Sequence, residues 1–209
     1  MRYELKYAIT NVNVADVTSR ILMHPASFSK VYEDRQVNNI YLDTPAFHCF
    51  YQNIEGQPRR SKMRLRWYGD QQLPTNNSIL EIKQKDKELG WKDTFKITNH
   101  SIINATSLMS AINAQGVSQG NLIPILHNTY KRSYYLSQNG LFRITIDSLQ
   151  AFSIPFSNMQ ALPTETYPVI VELKFEQEHH IRSREITDYI PFRQTKNSKY
   201  TTGVEALYF

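Results

Sequence analysis

The stretch Ser61-Lys-Met-Arg-Leu-Arg-Trp-Tyr68 alternates strictly. Lys62, Arg64 and Arg66 fall on every second position, with Met63, Leu65 and Trp67 between them. In an extended chain successive side chains point to opposite faces, so this pattern places the cations on one face and the apolar bulk on the other. Residues 78–85 repeat it, with Glu81, Lys83 and Lys85 opposed to Leu80 and Ile82. The intervening GDQQLPTNN (69–77) is dense in turn formers, so the two stretches are predicted to form a hairpin.

Working outward, three more segments carry the same arrangement. Arg2, Glu4 and Lys6 oppose Tyr3, Leu5 and Tyr7; Arg143, Thr145 and Asp147 oppose Phe142, Ile144 and Ile146; Glu172 and Lys174 oppose Val171, Leu173 and Phe175. Further strands are predicted over 36–43, 91–97 and 133–138, the last joined to 141–148 around Asn139-Gly140, a strong two-residue hairpin signal. Helical spacing of Val14, Val17, Ile21 and Leu22 predicts a helix that Pro25 ends. Residues 107–114 and 121–131 are also read as helical, with a short helix near 183–190. About eight strands, linked by hairpins and short helices, point to an α+β fold with an antiparallel sheet or barrel rather than βαβ units.

Composition narrows the function without deciding it. The 209 residues suit one domain, 1–209, and 13 Tyr and 10 Phe against 7 Gly lean toward strands. A net charge of +5 favours an anionic partner but does not choose one. The lone Cys49 excludes an intrachain disulfide and thiolate zinc sites. With no apolar run long enough to span a bilayer and no signal-peptide core, a cytoplasmic location is expected. Asn99-His-Ser and Asn104-Ala-Thr are read as chance matches to the glycosylation pattern. The histidines form no spaced pair of metal ligands and are read as surface residues.

An ordinary half-buried sheet with a wet outer face also alternates. Here, however, the polar positions are dominated by Arg, Lys and Glu, and the helices require the apolar face as their cover. A sheet that closes this way lines a lumen with cations and carboxylates, which suits a polyanion and a metal.

The motifs KMRLRWYG (62–69), ILEIKQK (79–85), TYKRSYY (129–135), FRITIDSL (142–149), VIVELKF (169–175) and SKYTTG (198–203), in this order, resemble the VTC (vacuolar transporter chaperone) domain of the CYTH-like triphosphate tunnel metalloenzymes. The resemblance runs from Tyr3 to Gly203. It implies a closed eight-stranded antiparallel β-barrel tunnel with flanking helices, a triphosphate tunnel fold. It also implies a polyphosphate polymerase that transfers the terminal phosphate of ATP onto a polyphosphate chain with Mn2+ or Mg2+. By motif it assigns phosphate-gripping or catalytic roles to Arg64, Arg66, Lys83, Arg132 and Arg143. Lys6, Lys62, Lys92, Lys199, Tyr130 and Ser198 become substrate-binding candidates. Glu172 becomes the metal ligand, with Glu4 and Glu81 as further carboxylates. One departure is Lys92-Asp93-Thr94, where the family commonly has Lys-x-Arg. Without the appended segments of the eukaryotic assemblies, a stand-alone version is expected; a membrane partner and the oligomeric state stay open.

Phosphoryl transfer needs in-line positioning and charge at the equatorial oxygens, for which Arg forks and Lys point charges are suited. The same lining serves a metal-dependent triphosphatase or a non-catalytic polyphosphate or nucleotide-binding module. Nucleic acid is not expected as a partner, because the aromatics largely oppose the charges instead of interleaving with them.

Overall fold

The structure, a computed structural model, describes residues 2–70, 73–74, 77–86, 89–98, 101–117, 120–157 and 167–209, with the backbone alone at Arg2. Its strands are β1 (Arg2–Ile9), β2 (Ser29–Asp43), β3 (Arg59–Tyr68), β4 (Ser78–Asp86), β5 (Leu89–Ile97), β6 (Ile123–Leu136), β7 (Arg143–Ser153) and β8 (Val169–Glu176). The helices are α1 (Val14–Leu22), α2 (His48–Ile54), α3 (Ala105–Asn113), α4 (Arg184–Thr187) and α5 (Lys199–Tyr208). The Asn99 motif and part of the turn expected at 69–77 lie outside the described residues.

Hydrogen bonding joins the eight strands into one antiparallel sheet in the order β1-β8-β7-β6-β2-β3-β4-β5. This corrects the expected closed barrel, since among the described residues no β1–β5 pairing closes the sheet. Both terminal strands carry charges of the kind that blunt a sheet edge: Glu4 and Lys6 on β1, Lys92, Asp93 and Lys96 on β5.

The chain divides into two compact units. The first comprises residues 1–35, 130–150 and 164–197. Its core follows from the alternation: Leu5, Leu173 and Ile144 stand opposite one another across β1, β8 and β7, as do Tyr7, Val171 and Ile146. Val17 and Ile21 of α1, with Ile186 and Ile190, pack on this apolar face. Helix α1 starts where the sequence predicts, because Asn13 accepts a hydrogen bond from the Ala15 amide at 2.8 Å and caps it. His24 corrects the surface reading of the histidines: it is buried, with Nε2 3.0 Å from the Ile186 carbonyl oxygen.

The second unit comprises residues 36–129, 151–163 and 198–209. Met63, Leu65 and Trp67 of β3 and Leu80 and Ile82 of β4 are buried beneath Leu108, Ala111 and Ile112 of α3. Asn104 caps α3 through a reciprocal pair with Ser107, which gives this Asn a structural task unrelated to glycosylation. The helix expected at 121–131 is instead part of β6. Asn128, fully buried there, donates to the Ala151 carbonyl at 3.2 Å and contacts Asn39 at 3.4 Å. Partners remote in sequence therefore override the local pattern. Helix α5, also not foreseen, lies close against the strands: a Cβ on Gly203 would meet Phe152 at 2.6 Å and Leu126 at 2.7 Å.

Candidate anion-binding faces

In the second unit the strand register aligns the cations into rows. Arg60 stands opposite Lys85, and Lys62 opposite Lys83, which is opposite Lys92. Arg64 stands opposite Glu81, which is opposite Thr94, while Arg66 and Lys96 end the face on either side of Ile79. Among the described residues Glu81 is the only carboxylate in these rows of β3, β4 and β5. Like charges directly opposite on neighbouring strands are destabilising by themselves.

Glu81 holds several of the cations. Its Oε2 accepts from Arg64 Nε at 2.7 Å and lies 2.6 Å from Arg64 Nη2, and its Oε1 takes Lys92 Nζ at 2.8 Å. Arg66 Nη1 lies 3.7 Å away. Burial works to raise the Glu81 pKa, but the charges of Arg64 and Arg66 and the Lys92 hydrogen bond outweigh it and hold it at about 2. The arrangement makes Glu81 a holder of cations, and its oxygens are engaged by them. The departure at Thr94 sits opposite Glu81, where Lys92 reaches the carboxylate instead.

Residues of β2 orient the arginines: Arg64 Nη1 donates to the Tyr41 hydroxyl at 3.0 Å, and Arg66 Nε to Asn39 Oδ1 at 2.9 Å. Asp43 is fully buried and caps α2 from a distance, accepting from the amides of Cys49 at 2.8 Å and Phe50 at 3.0 Å. It also accepts from the Tyr200 hydroxyl. Burial, with that hydrogen bond, raises the Tyr200 pKa. Lys62 Nζ donates to Ser198 Oγ at 2.8 Å and sits 5.5 Å over the Tyr200 ring. Ser198 is the N-cap of α5, and Lys199 begins that helix as a buried residue. Sequence reasoning missed Asn39, Tyr41 and Asp43, although they alternate along 36–43 just as the recognised cations do.

The first unit holds the other expected residues. Arg132 makes a two-pronged bridge to Asp147, Nε to Oδ1 at 2.5 Å and Nη2 to Oδ2 at 2.6 Å. Its Nη2 also lies 3.5 Å from Glu172 Oε2. Burial opposes the charge on Arg132, yet Tyr130, Asp147 and Glu172 outweigh it and raise its pKa. Tyr130 is 1% exposed, and the Arg132 Cζ sits over its ring, 5.2 Å from the ring centre. Lys174 Nζ contacts Glu172 Oε2 at 2.9 Å, and Lys6 Nζ contacts Glu172 Oε1 at 3.5 Å and Glu4 at 2.9 Å. Arg143 is exposed, opposite Lys174, which is opposite Glu4.

Among the described residues no three His, Cys, Asp or Glu side chains are grouped to hold a metal ion. Glu4 and Glu172, both held by Lys6 and Lys174, form a two-carboxylate set of hard oxygen donors. These are oxygen donors of the kind Mg2+ and Mn2+ take, but both are engaged by the two lysines, which an entering cation would have to displace. Among the described residues no helix is long and apolar enough to cross a membrane.

Strands that present cations in register on one face, with apolar residues under helices on the other, form an antiparallel sheet with cation-rich faces. The model of the VTC domain matches residues 1–208, and the chain belongs to that family. No curated protein sequence matches it. Among solved structures it is similar to a candidate adenylate cyclase of Vibrio parahaemolyticus, with a TM-score of 0.59, 14% identity, and 98% and 97% of the two chains covered. A protein of Pyrococcus horikoshii OT3 gives 0.57 at 12% identity, with 99% of each chain covered. A candidate adenylate cyclase of Bacillus halodurans gives 0.54 at 13%, covering 100% of this chain and 98% of the other. At these identities the likeness is one of fold.

Proposed function

We propose that this chain is a polyphosphate polymerase, which transfers the γ-phosphoryl group of ATP to the end of an inorganic polyphosphate chain. A terminal phosphate oxygen of the chain attacks the γ-phosphorus, the bond from that phosphorus to the β,γ-bridging oxygen breaks, and ADP leaves. The protein supplies no covalent partner for this step; it positions the reactants and offers charge to the oxygens.

The observation that carries this reading is the register of Lys62, Lys83 and Lys92, flanked by the Arg60–Lys85 row and by Arg64 and Arg66. At about 3.3 Å per residue, Arg60 to Arg66 spans roughly 20 Å of β3. A track several times longer than the spacing between adjacent phosphates suits a chain better than a single triphosphate. A divalent Mn2+ or Mg2+ ion would be held by Glu172 with Glu4 and would neutralise charge on the phosphoryl oxygens. Within the first unit taken by itself, Arg132, fixed on Asp147, and the exposed Arg143 would offer charge to phosphate oxygens.

The test is incubation of the purified protein with ATP and Mn2+, with products resolved on a gel stained for polyphosphate and free phosphate assayed in parallel. A ladder of chains with ADP release is expected. Free phosphate without a ladder would replace the polymerase with a triphosphatase. Neither product would leave a phosphate-binding module.

A further inference from the structure

Thr145 lies on the charged face of β7, directly opposite Glu172, which is in turn opposite Lys6. The residue is 2% exposed, and its side-chain oxygen has no hydrogen-bond partner among the described residues. Native proteins seldom bury a hydroxyl this way, because it loses water and gains nothing in return. Each buried group left so calls for an explanation.

The carboxylates nearby do not supply one. Both oxygens of Asp147 are taken by Arg132, and those of Glu172 by Lys6, Lys174 and Arg132. Every strand that bears on this row contributes a cation: Lys6 from β1, Arg132 from β6, Arg143 from β7 and Lys174 from β8. The Thr145 hydroxyl, on a face that these cations share, therefore has a donor with no acceptor among the described residues. We infer that Thr145 is a substrate-binding residue, whose hydroxyl donates to a phosphoryl oxygen of a triphosphate or polyphosphate held by Lys6, Lys174 and Arg143. The inference rests on the reading of this face as a phosphate site. The ammonium groups of Lys6 and Lys174 are mobile point charges on flexible stems, so an entering phosphoryl group can draw them off Glu172 and Glu4 and come to rest over the row.

Thr145→Val keeps the shape and removes the hydroxyl, while Thr145→Ser keeps the hydroxyl. Inorganic tripolyphosphate binding is measured by calorimetry for both variants and the wild type, with chelator and with Mn2+, alongside melting of each protein alone. Thr145→Val is expected to weaken binding about tenfold with chelator present, with Thr145→Ser close to wild type. The melting temperature of Thr145→Val alone should not fall and is expected to rise by about 2–4 °C, because an unpaired polar atom has been removed. Wild-type affinity in Thr145→Val, or a lower melting temperature without loss of affinity, overturns the inference and leaves the phosphate site standing. A loss seen only with Mn2+ also overturns it, since Thr145 would then be a cation ligand. Failure of the wild type itself to bind tripolyphosphate removes the site and the inference together.

Discussion

Arg132 and Arg143 come from neighbouring strands and were assigned the same task, yet their surroundings separate them. Arg132 is clamped by fully buried Asp147, and Arg143 is exposed. Removing one partner of a buried charge pair leaves the other uncompensated, so Asp147→Asn is expected to cost about 3–5 kcal/mol of stability in urea unfolding. Arg143→Ala should stay within about 0.5 kcal/mol of wild type in the same measurement. It should nevertheless weaken tripolyphosphate binding about tenfold, as expected for loss of a charge-assisted contact. Equal affinity in that variant would remove Arg143 from the site. The alternation Arg143, Thr145, Asp147 was legible as one polar face. That Asp147 belongs to Arg132 was not, because the pair is joined only when β6 and β7 lie side by side. Tyr130 shows the same limit: its place beside a basic motif left a phosphate-binding and a structural role open, and only the fold brings the Arg132 guanidinium over its ring.

At the scale of elements, the antiparallel pairing of β3 and β4 was readable from the alternation of the two strands. Its register then produced the row Lys62–Lys83–Lys92. Because like charges directly opposite repel, Lys83→Gln is expected to raise stability by about 0.5 kcal/mol at low ionic strength, with the gain vanishing in high salt. The same variant should bind tripolyphosphate more weakly. A destabilised Lys83→Gln protein would contradict the repulsive row. Helix α5 makes a different demand: a methyl at Gly203 would press on Phe152 and Leu126. Gly203→Ala should therefore cost about 1–3 kcal/mol through overpacking, seen as a lower melting temperature. Residues 121–131 were misread because their local pattern fits a helix, whereas the buried Asn128 finds its partners only across strands. Helix α2 left no clear signal either. Phe47 provides no capping side chain, and the cap comes from Asp43 on the preceding strand.

For the molecule as a whole, acid should act in two stages. Burial pushes the His127 pKa down to about 4 from its ordinary 6.5; the ring stacks on Trp67 at 5.5 Å, and its Nε2 has no partner among the described residues. A folded state that disfavours the charged imidazole is fully stable above pH 6.5 and loses stability as pH falls toward 4. Glu81 acts lower down. Its pKa lies at about 2 against an ordinary 4.5, so its contribution is complete above 4.5 and is lost as pH falls toward 2. Each shift corresponds to about 3 kcal/mol. His127→Phe should flatten the pH dependence of urea unfolding between 6.5 and 4 without altering the lower stage. Glu81→Gln should remove the lower stage; an unchanged profile in both variants would exclude these groups as the source. Cys49, buried and pushed up to about 12, should resist alkylation until the protein unfolds.

The sequence by itself determined which side chains share a face, because alternation in a strand is a property of the backbone and needs no partner. From that came the charged faces and the apolar faces under the helices, and with the charged faces the expectation of an anionic ligand. The tertiary structure decided which cations meet which carboxylates, that 121–131 is a strand, and that β1 and β5 remain unpaired with one another among the described residues. Those outcomes depend on contacts between residues far apart in the chain, where burial and register outweigh local preference.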